Sequence, residues 1–198
     1  MADSREQGYL TPLNPPPDDD ALLDLLQPIV SGITGIDGTL VRPRWQPDDT
    51  PNMPDYTVNW CAVGIARSRP ETYHAEQHVP DADGYNLFIT SEEIDVMFSF
   101  YGPASQGYAR RARDGFRLSQ NRAPLQANGM DTLYCSDPLT LPALLTGKWV
   151  RRVDMTVTMR RRVSEQYGIR TIIGLPTMEP MGLNNELYIT PIVVKGPT

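Results

Sequence analysis

Histidine and cysteine are scarce in this chain: His74, His78, Cys61 and Cys135 are the complete set among 198 residues. That scarcity excludes much. No G-x-S-x-G elbow, Gly-rich phosphate loop or Cys with a clearly placed base is present, so the common signatures of nucleophilic and phosphoryl-transfer enzymes are missing. The H-x3-H spacing of His74 and His78 would serve a metal on a helix. The segment "ETYHAEQHV" reads as a strand, however, where four residues span ~13 Å and the two imidazoles cannot share one ion. The cysteines lie far apart in apolar, strand-like surroundings. They read as two buried thiols in a reducing compartment, with a disulfide within or between subunits as the lesser alternative. Long apolar runs are absent as well. No window approaches 18 apolar residues, so no membrane span is expected. "MADSREQGYL" lacks the cationic start and apolar run of a secretory signal. No enzyme, metal or cofactor is expected on these grounds.

What the chain has in quantity is proline, 19 residues, and charge of unequal distribution. The prolines gather at 12–17, 43–54 and 176–197, which reads as extended arms and stiff connections. Residues 1–99 hold 5 Lys+Arg and 17 Asp+Glu, a net of 5 − 17 = −12, whereas residues 100–198 hold 13 and 7, a net of 13 − 7 = +6. The two add up to the overall −6. An acidic half and a basic half suit head-to-tail self-association, in which unlike faces meet. Folding that interleaves the halves is the plainer alternative.

The patterning predicts an α+β domain over residues 18–165, between an N-terminal arm, 1–17, and a C-terminal arm, 166–198. Its centre is a mixed, mostly antiparallel sheet with a long hairpin, flanked by an N-terminal helix and a central basic helix. "DDDALLDLLQPIVSGITG" carries capping carboxylates and an apolar stripe at Leu22, Leu25, Leu26, Ile29 and Ile33. Pro28 is expected to kink or end that helix. "TLVRPRWQP" reads as a short edge strand, and "TVNWCAVGIARS" as a central strand covered on both sides. The "PDADG" tip joins "ETYHAEQHV" to the long run "YNLFITSEEIDVMFSFYG" as a hairpin. Gly102-Pro103 breaks that run and starts a helix whose stripe is Tyr108, Ala112 and Phe116. A second short helix is expected from Ala123 to Asn128. "DTLYCSD" reads as a short strand, "LPALLTG" as a helical turn and "KWVRRVDMTVTMRRRV" as a long strand.

Arg110, Arg111, Arg113 and Arg117 crowd the central helix. Chain-wide acidity argues against a general nucleic-acid binder. Arginine is also the cation favoured at protein interfaces. The acidic cluster Glu92, Glu93 and Asp95 is a solvated strand face rather than an acid/base pair.

Five stretches in order resemble the phage neck or tail terminator family: "LVRPRWQPDDTPNMPD", "NWCAVGIARSRP", "EIDVMFSFYGPASQGYARRARDGF", "SQNRAPLQANGM" and "WVRRVDMTVTMRRRV". "SFYGP" followed by a helix and then "QNR" is the most specific element. The resemblance covers roughly residues 20 to 165 and implies a non-enzymatic virion protein, present in the host cytoplasm during assembly. It implies a ring of about six copies at the head–tail neck that caps the tail tube and docks the head. A head-completion or collar ring is the neighbouring alternative, and a small metal protein or enzyme the remote one. Implied partners are further copies, the tail tube protein, a head-completion or collar protein and the sheath of a contractile tail. DNA would pass through the lumen without sequence-specific contact. The expected subunit contacts are Arg110, Arg111, Arg113, Arg117, Arg152 and Arg160 against Asp18, Asp19, Asp20, Glu93 and Asp95.

Overall fold

In the computed structural model, which describes residues 8–14, 19–45, 53–80, 84–145 and 147–170, three helices cover one face of a seven-stranded sheet. The elements are α1 (Asp19–Thr34), β1 (Val41–Pro43), β2 (Trp60–Pro70), β3 (Ala75–Val79), β4 (Tyr85–Tyr101), α2 (Ser105–Arg117), α3 (Ser119–Ala127), β5 (Met130–Cys135), β6 (Leu139–Leu145) and β7 (Lys148–Tyr167). The sheet order is β1-β2-β4-β7-β5, with β3 beside β4 and β6 beside β7. Only β1 runs parallel to its neighbour; the other pairings are antiparallel. The α+β architecture read from the sequence is therefore the observed one, long β3–β4 hairpin included.

The frame is the β4–β7 pair, in register from Asn86 opposite Tyr167 to Tyr101 opposite Arg152. Alternation divides it into two faces. Ile94, Val96, Phe98 and Phe100 of β4 and Val153, Met155, Val157 and Met159 of β7 are buried beneath the helices. Leu22, Leu26, Ile29 and Val30 of α1 and Leu125 of α3 complete this core.

Three readings need correction. "LPALLTG" is not a helical turn, because Leu139–Leu145 is a strand held by β7 along its whole length. Pro28 does not end α1, which continues to Thr34. Pro28 and Asp24 lie on the exposed side, where the carbonyl that loses its N–H partner is open to water. Gly32 sits within the helix; Gly35, at φ +80, closes it. The helix expected at Ala123 starts earlier, at Ser119.

The N-terminal arm is tied down in part. The Leu13 N–H donates to the Gln166 carbonyl at 2.7 Å, and the Asn14 carboxamide oxygen accepts from the Gln166 N–H at 2.8 Å. Residues 171–198, the bulk of the expected C-terminal arm, lie outside the described residues.

Candidate assembly interface

The corner between β4 and α2 fixes where the basic helix points. Gly102 has φ +101, and a Cβ there would lie 2.5 Å from the Val58 carbonyl oxygen and 2.9 Å from Asn59 Cα. Only glycine meets both demands. Its N–H donates to the Arg151 carbonyl at 3.2 Å. The N-terminus of α2 has no side-chain cap of its own. Asn59 reaches across instead and accepts the Ala104 N–H at 2.8 Å.

From that corner α2 lays Ser105, Ala109, Ala112, Gly115 and Phe116 into the core. Phe116 meets Phe98 at 5.4 Å between ring centroids. Tyr108, expected in the stripe, is only half-buried, and Ala109 occupies the deeper position. A Cβ on Gly115 would collide with the Ile33 side chain, so α1 and α2 touch at this glycine.

The four arginines of α2 divide into two kinds. Arg111 donates to the Thr34 carbonyl at the end of α1 (3.2 Å) and lies 5.2 Å from the Tyr108 ring centroid, stitching the two helices together. Arg113 is half-buried and pairs with Asp114 at 3.0 Å and Asp137 at 3.7 Å. Arg110 and Arg117 are exposed, and neither has an ion pair or hydrogen-bonding partner for its side chain among the described residues. On α1, Asp20 and Asp24 are exposed and likewise without a salt bridge there. Asp18, and the side chain of Asp19, lie outside the described residues.

The remaining candidate contacts are engaged inside the subunit, on the sheet face away from the helices. Asp95, 9% exposed, accepts from Arg67 Nε at 2.9 Å and from the Thr158 hydroxyl at 2.8 Å, with Arg69 at 3.6 Å. Burial pushes its carboxyl up, but these hydrogen bonds and arginine charges outweigh burial and hold it below the usual range. Arg69 also reaches Glu93 at 3.3 Å. Arg160 pairs with Glu71. Arg152 forks onto Asp154 at 2.5 and 2.7 Å and lies 5.9 Å from Tyr101, whose ring stacks on Trp60 at 4.2 Å.

A bulge brings Arg67 and Arg69 to this charged face. The β2–β4 register shifts between Ile65 and Arg67. Without the extra residue Ala66, Arg67 and Arg69 would share the helix-covered face of Cys61 and Val63. The shift turns them to Asp95 and Glu93. Nothing in the local sequence signals it, since apolar β2 continues unbroken into "ARSR".

The other chemistry-bearing residues are occupied structurally. His74 stacks on Phe88 at 5.0 Å, and His78 Nδ1 lies 2.6 Å from the Asn86 carboxamide oxygen. Cys61 and Cys135 are buried free thiols, and burial raises the pKa of each. Among the described residues no three of His, Cys, Asp and Glu gather as a metal site, and no helix is long and apolar enough to cross a membrane.

The sequence matches the phage neck terminator protein family over residues 20–180. The chain belongs to that family. No curated protein matches it. A neck terminator is a structural virion protein. The family match begins one residue inside α1 and runs past the end of β7.

Proposed function

We propose that this neck terminator assembles head to tail into a ring, six copies by default, that caps the tail tube and presents a docking surface to a head-completion or collar protein. The observation that carries the reading is the pair Arg110 and Arg117: two exposed guanidiniums without partners among the described residues, on a helix aimed by the Gly102 corner. Isolated surface arginines contribute little to a monomer, whereas at an interface they select a partner of opposite charge. Asp20 and Asp24 supply that charge on another copy. The lumen is the poorer destination for these arginines, because a basic lining would grip DNA phosphates that have to slide past.

The test is charge reversal. Arg110→Glu with Arg117→Glu should leave the thermal melt unchanged and shift native mass spectra from ring to smaller species. Adding Asp20→Lys and Asp24→Lys on the same chain should restore part of the ring. A ring of unchanged abundance in the double arginine variant at physiological salt would overturn this interface.

A further inference from the structure

β6 is an outer strand whose free edge no strand pairs among the described residues. Such edges are ordinarily short, charged, interrupted by proline or covered, and of these devices β6 has Pro142 alone. This one is seven residues long, "LTLPALL", and carries no charge. Leu139 is 60% exposed, Leu144 58% and Trp149 73%, with Leu144 directly opposite Trp149 in the hairpin. Leu144 and Trp149 form an exposed apolar pair on one face and Leu139 is exposed on the other; an uncharged open edge with such side chains marks a place for added β-structure.

The sequence holds a segment whose composition suits a strand. Residues 186–194, "ELYITPIVV", are rich in β-branched residues and carry one charge. Pro191 restricts this segment to an edge, as Pro142 does in β6. We propose that the free edge of β6 takes up residues 186–194 of a second copy as an added strand, locking neighbouring subunits together. This rests on the self-association reading above.

Reach favours a second copy over the subunit's own tail. Leu139 pairs with Asp154, and β7 ends at Tyr167. The thirteen residues between those levels amount to ~43 Å of strand at about 3.3 Å each. The nineteen residues from Tyr167 to Glu186 span typically about 25 Å as a flexible chain. To reach their own β6 they would have to reverse direction and stretch to about two-thirds of their ~63 Å full length, well beyond the typical span. A neighbour's β6 within reach of the chain's exit demands no such extension.

The test uses cross-linking in the full chain. The native thiols are buried, so Leu144→Cys and Ile189→Cys each introduce one accessible thiol. The two variants are mixed and treated with a short bismaleimide. A covalent dimer containing one of each is the expected result, and a chain ending at Arg170 should keep its melt but lose the oligomer. Four results would overturn the inference. An oligomer seen by native mass spectrometry with no mixed cross-link refutes the added strand but leaves the ring intact. A monomeric cross-link in the Leu144→Cys/Ile189→Cys chain shows the tail folding back on its own subunit. Protection of Leu144→Cys only when tail tube is added assigns the edge to the tube. A monomer without any cross-link refutes both the added strand and self-association.

Discussion

Replacing Gly102 by alanine tests the corner that aims the basic helix. The φ of +101 costs an L residue about 1–2 kcal/mol. The new Cβ would also sit 2.5 Å from the Val58 carbonyl oxygen and 2.7 Å from the Asn59 carboxamide oxygen that caps α2. The nearest obstacle is main chain and cannot rotate away, so relaxation has to open the turn, for about 1–3 kcal/mol more. The sum, about 3 kcal/mol, is a large part of a domain's 5–15 kcal/mol. At about 2–4 °C per kcal/mol for a chain of this size, the melting midpoint should fall by about 6–12 °C. Circular dichroism on wild type and Gly102→Ala reads it directly. A midpoint matching wild type would refute both the strain and the clash, and with them the rigid corner.

Phe116→Ala should cost about 3–5 kcal/mol, since Phe116 is fully buried against Phe98 and its removal loosens α2 from the sheet; chemical denaturation measures it, and a loss below about 1 kcal/mol would show that α2 is not packed as described. Asp95 titrates below its usual value when folded. Its stabilisation is therefore present above the unfolded carboxylate pKa and lost as pH falls through the lower folded one. Asp95→Asn should melt below wild type at neutral pH, the gap closing below about pH 4; a gap independent of pH would contradict the ion-pair account. Cys61 and Cys135 should resist a thiol reagent in the native protein and react together on unfolding, because burial raises both pKa values and blocks access. Rapid reaction of either in the native state would oppose their burial.

Local patterning made much of the fold legible. The period-2 alternation of Ile94 to Phe100 and Val153 to Met159 marked the core faces, and the 3.6-residue stripe marked α1. Gly102-Pro103 marked the corner. Two kinds of information stayed hidden. "LPALLTG" has no alternation of its own; β7 alongside makes it a strand, which is a tertiary effect. The Ala66 bulge adds one residue with no turn chemistry to announce it, yet it decides that Arg67 faces Asp95 rather than the core. The candidate interface divided for the same reason. Spacing separates the arginines of α2 from its apolar stripe, but only the fold reveals that, among the described residues, Arg111 and Arg113 have partners while Arg110 and Arg117 do not. Glu93, Asp95, Arg152 and Arg160 looked free in one dimension and are paired in three.

The most direct test of the account is native mass spectrometry of the full chain, with negative-stain images of the same sample and of tail tubes mixed with it. The account predicts a closed ring, six copies by default, with a central hole, seated at one end of the tubes. A protein that stays monomeric at every concentration and leaves tube ends bare would contradict it.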